Sequence, residues 1–586
     1  MPNKNNKYNK NNKKQRGVTR AALSSRSKQI EKETGRGYFI MKIFLLIGLI
    51  VFLRLVYLQV IVAGDYSQQA ANSRTSVVEV PPRRGTIYDR NGNVLAASVD
   101  ARSVYVNPTE VEDPESEAKA VAKVLGGSAS KYEKALSDSA KTFVYLERRV
   151  EMERADKLKE ENLPGIHFLP DSKRIYPYGQ IGGQVVGFVN IDGQGVSGLE
   201  LYYDNILKGT PGKMIAEYGR TGIPIPGGVG ENKPAIDGQD IIISLDISMQ
   251  EHLEKCLAAG TKELEAKSGN SVLLDGGTGE IYACASLPFF NPGDLSKVEE
   301  GSTDLKSITR AFEPGSIFKP VTAMAALEDN VLDPEDTVFC PAKLPADEYF
   351  VTDVHERGDQ TMTFREILNH SSNVGMSKIA ERTGFSQLYQ KILKYKVVEP
   401  TGVDYPGEAS GSISDVNTWS KIRAYNVSFG QGVMVTPIEM ARFDGALIND
   451  GEACTPHFLM KLPQTEEVKT YPKEQIIENT KAIPDLISML ETVVSDGTGK
   501  AAIIDGFDVA GKTGTAEFAG NNGYVKGSYN LSFVGFLANT NSKLVCYVGA
   551  TEVPGERSTT AIFRDIMTYA IERYKIKDQA SEELPE

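Results

Sequence analysis

The strongest pattern in the chain is the run from Phe39 to Val62, apolar throughout except for Lys42, Arg54 and Gln59. Its length matches the roughly 20 residues a helix needs to cross a bilayer. Beyond it the pattern becomes mixed. Arg83 to Ala96 reads as a short strand, a tight turn at Asn91-Gly92 and a returning strand. Asp113 to Leu125 has helical spacing and ends at Gly126-Gly127, and Met152 to Asn162 is a second short helix stopped by Leu163-Pro164-Gly165.

Near Gly238 the pattern shifts again. Asp240 to Leu245 predicts a strand, Ser248 to Leu264 a helix, and Asn270 to Asp275 a strand that turns at Gly276-Gly277-Thr278-Gly279 into Glu280 to Ala285. Thr363-x-x-Glu366 is a capping box opening a helix that stops at His370. Ser371-Ser372-Asn373 then form a turn, and Val374 to Thr383 a further helix closed by Gly384. Ser528 to Ala538 and Lys543 to Val553 alternate as strands, and Thr559 to Tyr574 carries Ile562, Phe563, Ile566, Met567 and Ala570 on one helical face. The expected class is α+β: one N-terminal transmembrane helix, an extended α+β pedestal, and a large domain with an antiparallel sheet flanked by helices.

Charge decides what the apolar run is. The net charge of −12 hides a split, because residues 1–36 balance to +9 and leave −21 for the rest. That Asn-, Lys- and Ser-rich head has too little apolar surface to fold alone. A basic head can also be a nucleic-acid arm. Here an apolar span follows it, so it reads as the cytoplasmic flank of a membrane anchor, with the remainder of the chain outside the cell. A cleaved signal peptide would have an apolar core of only about 7–15 residues, and no lipoprotein cysteine follows. Arg54 inside the span is costly there unless it snorkels to the interface or faces a partner helix in the membrane. The expected divisions are a disordered tail at 1–38, an anchor at 39–63, a pedestal at 64–238, a large α+β domain at 239–576 and an acidic tail at 577–586.

Five scattered cysteines and five histidines show no metal-type spacing, so neither a metal nor another cofactor is expected. A disulfide framework is not expected either, although the count leaves room for one bridge.

The candidate chemistry starts at Glu313-Pro314-Gly315-Ser316-Ile317-Phe318-Lys319. A serine hydroxyl is nearly inert at neutral pH without an adjacent base. Lys319, three residues on along a helix, shares a face with Ser316, so its amine is within reach of the hydroxyl. It serves as a base only if its pKa is lowered. Pro314 and Gly315 break the chain ahead and place Ser316 at a helix N-terminus, where free amides favour negative charge. The spacing alone proves little, since Ser25/Lys28, Ser116/Lys119 and Ser128/Lys131 share it in polar or ordinary helical sequence. Ser371 and Asn373 alone would read as a helix cap. Gly506-x-x-x-x-Gly511-Lys512-Thr513 fits a phosphate-loop pattern literally, but Phe507 to Ala510 look like strand and no helix follows.

In combination these elements are specific. Ser-x-x-Lys, then Ser-x-Asn 55 residues later, then Lys512-Thr513-Gly514 a further 141 on, is the order found in penicillin-binding proteins and class A β-lactamases. Arg84-Gly85 through Leu95-Ala96, Arg174-Tyr176-Pro177, Gly195 through Glu200, Thr278-Gly279-Glu280, Phe429-Gly430-Gln431-Gly432 and Gly497-Thr498 narrow the match. Over about residues 38–575 the chain resembles the class B penicillin-binding proteins.

The resemblance implies a penicillin-binding transpeptidase domain and a D,D-transpeptidase that cross-links peptidoglycan stem peptides and is acylated by β-lactams. It implies Ser316 as nucleophile, Lys319 as its base, Ser371 as proton relay and Asn373 as holder of the donor amide. Lys512, Thr513 and Thr515 would take the terminal carboxylate, with Gly514 between them. The Ser316 and Thr515 amides would form the oxyanion hole. No glycosyltransferase domain lies between anchor and pedestal, so the resemblance implies a separate SEDS-family glycosyltransferase and other division proteins as partners. The compact pedestal favours a septal, division-type enzyme, with an elongation-type enzyme as the alternative. The acidic tail carries no PASTA repeats. The competing readings are a β-lactamase, a D,D-carboxypeptidase, and a non-catalytic division scaffold.

Overall fold

The computed structural model describes residues 37–64, 75–218, 224–520, 523–555 and 557–578, so the basic head and most of the acidic tail lie outside the described residues. Two compact units emerge. The smaller holds helix α1 (Gly37–Ile61) and an antiparallel sheet of Thr75–Val80, Gly212–Tyr218 and Pro224–Lys233. Helix α1 is the one described helix long and apolar enough to cross a membrane, and none of that apolar stretch is buried within the protein.

The larger unit takes Pro81–Pro211 and everything from Ala235 onward. Strands β1 (Ile87–Tyr88) and β2 (Val94–Val106) flank the Asn91-Gly92 turn, where the Asp89 carboxylate accepts from the Asn91 and Asn93 amides at 2.8 Å each. Helices α2 (Pro114–Leu125) and α3 (Ala129–Leu136), strand β3 (Val144–Glu151), helix α4 (Met152–Glu160) and strand β4 (Ile166–Ile175) complete this part. Val121, Leu125, Leu136, Leu146 and Leu158 form its own small core. Helix α4 ends two residues before the position expected from sequence, just ahead of Asn162 at φ +47.

Its sheet continues into the following residues, because β1 pairs in parallel with β5 (Ile241–Ile243). Glu200 locks the connection: one carboxylate oxygen takes Arg84 at 2.6 Å and the other Arg174 at 2.7 Å, all buried. Arg174 also donates to the Gly85 carbonyl at 2.7 Å.

After helix α5 (Ile247–Glu263) come β6 (Ser268–Asp275) and β7 (Ile281–Ser286), then helix α6 (Lys319–Glu328), α7 (Phe364–Asn369), α8 (Asn373–Thr383) and β8 (Leu459–Leu462). Strand β8 returns to pair with β5. Strands β9 (Asp508–Gly520), β10 (Gly523–Ala538) and β11 (Leu544–Pro554) then complete a five-stranded antiparallel sheet in the order β7-β6-β11-β10-β9, followed by helix α9 (Thr560–Tyr574).

Alternation along the strands feeds two cores. Leu273, Phe533 and Val548 point to one face, where Leu253 and Leu257 of α5 meet Phe563 and Ile566 of α9. Leu274, Val534, Phe536 and Tyr547 point to the other, with α6. All ten residues of α6 are buried, Lys319 among them. A helix apolar on every side belongs in a core, and this one carries a lysine into it.

Candidate active site

The sequence Pro314-Gly315-Ser316 does not begin the α-helix directly. Gly315–Phe318 form a 3₁₀ turn and α6 starts at Lys319, with Pro320 in its first turn where the missing N–H costs nothing. Residues three apart eclipse in a 3₁₀ turn, so Ser316 and Lys319 still share a face. The expected Lys319–Ser316 hydrogen bond is not formed among the described residues. Lys319 Nζ instead donates to the Ser371 carbonyl at 2.5 Å, Ser371 Oγ at 3.0 Å and Asn373 Oδ1 at 2.8 Å. A fully buried amine needs acceptors for its hydrogens, and the Ser371–Asn373 turn supplies three.

That turn is built by Ser372. Its hydroxyl accepts from the Gly375 amide at 2.9 Å as the N-cap of α8, and donates to the Asp353 carboxylate at 2.8 Å. The cap reading of Ser371 and Asn373 therefore gives way. The middle serine does the capping, and α8 begins at Asn373, one residue earlier than expected. Ser371, in the left-handed region at φ +57, turns its hydroxyl to the lysines. Backbone strain of this kind costs about 1–3 kcal/mol and persists only where surroundings impose it. Asp353 imposes it, accepting also from the Val374 amide at 2.9 Å and pairing with Arg357 at 2.6 Å.

The third element lies on a strand. Lys512 is in β9, so the phosphate-loop pattern has neither the loop nor the helix it needs. Lys512 Nζ donates to the same Ser371 Oγ at 3.1 Å and to the Thr513 carbonyl at 3.1 Å. Thr513 Oγ1 lies 2.7 Å from Thr498 Oγ1. Gly514 lets the strand reach the serine turn, because a Cβ there would stand 2.3 Å from Ser532 Oγ and 2.9 Å from Ile317 Cγ2.

Burial is the first cause of both lysines' electrostatics. It drives Lys512 down from 10.5 to about 7. Lys319 is held well below the usual lysine range by burial, then by the neighbouring Lys512 charge, with Asp353 opposing. An amine with a lowered pKa is partly neutral near pH 7 and can accept a proton.

These groups surround a cavity of about 670 Å³ lined by Ser316, Ser371, Thr513, Gly514 and Thr515, with Lys319, Asn373 and Lys512 behind them. Asp353, Arg357 and Tyr529 also line it, and sequence reading assigned them no role. Asp353 and Arg357 stand at i and i+4, a common surface spacing, so only their contacts distinguish them. No group of three or more potential metal ligands occurs among the described residues, and all five cysteines are free.

A serine on a tight turn, a buried depressed lysine beside it, and a second lysine on a sheet strand sharing one hydroxyl define an active-serine acyltransferase. Residues 269–568 match the penicillin binding protein transpeptidase domain, and residues 79–243 the penicillin-binding protein dimerisation domain. The chain is 31% identical to stage V sporulation protein D of Bacillus subtilis over 87% of its own length and 81% of that protein. It is 32% identical to peptidoglycan D,D-transpeptidase FtsI of Escherichia coli, over 80% and 79%. The crystal structure of penicillin binding protein 3 from Mycobacterium tuberculosis, complexed with aztreonam, shares the fold at TM-score 0.67 and 24% identity, covering 85% of this chain and 97% of that one. The chain belongs to the penicillin-binding protein transpeptidases, in the class B arrangement of a dimerisation domain followed by a transpeptidase domain.

Proposed function

We propose that Ser316 is the nucleophile of a peptidoglycan D,D-transpeptidase, and that its Oγ attacks the carbonyl of the penultimate D-alanine of a donor stem peptide. Lys319 takes the hydroxyl proton. Terminal D-alanine leaves with a proton delivered through Ser371, and an acyl-enzyme remains. The amine of a neighbouring strand then attacks the ester, forms the cross-link and frees Ser316. The observation that carries this reading is the Ser371 hydroxyl, held between the two depressed lysines beside Ser316.

Asn373 accepts from Lys319 through its carbonyl oxygen, and its amide nitrogen donates one hydrogen to the Thr352 carbonyl at 3.3 Å, which leaves the second hydrogen for the donor. Lys512, Thr513 and Thr515 receive the terminal carboxylate, and the Ser316 and Thr515 amides stabilise the oxyanion. One such donor is worth about 2.7–4 kcal/mol. β-Lactams acylate Ser316 and stall there.

Residues 64–238 serve as pedestal and 239–576 as transpeptidase domain, with 39–63 anchoring them. The enzyme is single-pass, with residues 1–38 cytoplasmic and the active site outside, as the basic flank supports. Its place is the division septum, beside a polytopic SEDS-family glycosyltransferase that packs on Arg54. That arginine, 5.2 Å from the Tyr57 ring, has no carboxylate within ion-pair reach among the described residues. Arg54→Leu should weaken recovery of the glycosyltransferase in a detergent pull-down, and unchanged recovery removes this contact. Depletion should give undivided filaments, whereas swelling into spheres would assign elongation instead.

The deciding experiment labels membranes with a fluorescent penicillin. A band near 64 kDa in wild type that disappears in Ser316→Ala is expected. Label persisting in the variant overturns the assignment of Ser316.

A further inference from the structure

Behind the catalytic turn lies a second cavity, of about 540 Å³. Its floor is the sheet face that carries α6. The strand registers set Asn270, Gly549, Ser532 and Gly514 side by side on β6, β11, β10 and β9. Residues in one cross-strand row share a face. Two of the four are glycines, so the row is a trough. Tyr547 lies over it, since a Cβ on Gly549 would stand 2.7 Å from the Tyr547 hydroxyl and 3.2 Å from Asn270 Oδ1.

Three polar groups in this lining open onto the cavity and make no hydrogen bond within the protein among the described residues: the Tyr547 hydroxyl, the Ser532 hydroxyl and the Asn270 carboxamide nitrogen. Their residues are only 2%, 5% and 7% exposed. Polar groups facing an enclosed space of this kind are met by water or by a ligand. Lys306 also lines the cavity. Its ammonium donates to Ser268 Oγ at 2.7 Å and to the Leu287 carbonyl, with no carboxylate in ion-pair reach among the described residues. Burial holds its pKa below the usual lysine range, with the Asp304 carboxylate opposing and the Arg310 charge adding to the lowering. The neighbouring charges are committed elsewhere: Lys267 to Glu552, Arg310 to Asp304, and Glu313 to the Gly432 amide, with Glu300 exposed. Phe312, Pro288 and Pro437 supply apolar wall.

We propose that this cavity is a second binding site for a small peptide-like molecule with a free carboxylate. The carboxylate pairs with Lys306, while Tyr547, Ser532 and Asn270 meet its amide groups. The carboxylate preference follows from Lys306 alone, whereas the choice of a peptide rests on the reading of the protein as a stem-peptide transpeptidase. Two sources carry this chemistry: the free terminus of an uncross-linked stem peptide, and the D-alanine released on acylation. Either would press on the catalytic groups, because Pro314 lines this cavity two residues before Ser316 and Ser532 abuts Gly514.

The test uses full-length protein in detergent with Ser316 first acylated by benzylpenicillin, closing the catalytic cavity. Titration with diacetyl-L-lysyl-D-alanyl-D-alanine, followed by ligand-observed NMR, should show saturable binding. The C-terminal amide should bind at least tenfold more weakly. Lys306→Met should lose at least tenfold, and Tyr547→Phe a smaller factor, while both variants take up fluorescent penicillin as wild type does. Competition by D-alanine assigns the released amino acid as the ligand, and its failure to compete assigns the stem-peptide terminus. Absence of tripeptide binding to acylated wild type, equal binding of acid and amide, or unchanged binding in Lys306→Met overturns the proposal. Acylation is followed separately by mass. Failure of benzylpenicillin to attach therefore counts against the Ser316 assignment, and the cavity is then tested in Ser316→Ala by the same Lys306 and amide comparisons.

Discussion

Lys319 and Lys512 converge on one acceptor: the Ser371 hydroxyl lies 3.0 Å from the first amine and 3.1 Å from the second. Two buried ammonium groups on one oxygen repel each other, so one of them must be readily deprotonated. The pair thus holds a base and a cation side by side.

Acylation should therefore follow a bell in pH. The rate rises as Lys319 loses its proton, at a pH held well below 10.5, because only the neutral amine can accept the Ser316 proton. It falls as Lys512, lowered to about 7, loses the charge that receives a carboxylate. Stopped-flow acylation by benzylpenicillin across this range should show both limbs. In Lys512→Arg the falling limb should vanish, since a guanidinium stays protonated; a limb that persists belongs to another group.

Gly514→Ala should slow acylation about 100-fold, the effect expected of a displacement near 1 Å, because its Cβ would meet Ser532 Oγ at 2.3 Å. Adding Ser532→Ala removes the nearest clashing atom and should recover part of the loss. Full loss in the double variant would show that Ile317, at 2.9 Å, sets the limit.

Ser372→Ala removes both the cap of α8 and the bond to Asp353. Loss of a cap costs about 1 kcal/mol, which for a domain of this size lowers Tm by about 1–2 °C. The acylation rate should fall by more than that stability loss explains, because Ser371 loses the neighbour that fixes its left-handed turn. Thermal melts and acylation kinetics on the same samples separate the two effects.

Glu200→Gln leaves Arg174 buried without a carboxylate partner, while Arg84 keeps Asp204 at 2.6 Å. Leaving one buried charge uncompensated in this way costs about 3–5 kcal/mol. Chemical denaturation should show that loss, with penicillin uptake retained at low temperature. A wild-type denaturation midpoint would mean the cluster contributes little.

The sequence by itself determined the long apolar helix, the order of elements and the three motif segments that meet at the cavity, because each is local. An apolar run, a capping box or a Ser-x-x-Lys spacing needs only neighbouring residues to be read. The capping box at Thr363 and Glu366 and the strand over Phe533 to Phe536 stand where the periodicity put them.

Tertiary structure alone decided what the segments do to one another. Ser371, Ser372 and Asn373 are all plausible caps in a sequence, and only the position of Asp353, 19 residues before Ser372, made the middle one the cap. Lys319 takes its partners from Ser371 and Asn373, more than 50 residues on, and the depression of both lysines depends on packing between α6 and β9, almost 200 residues apart. Pairing across that distance is set by packing and desolvation, which no local pattern records. The trough of Asn270, Gly549, Ser532 and Gly514 exists only because four strand registers bring those residues into one row.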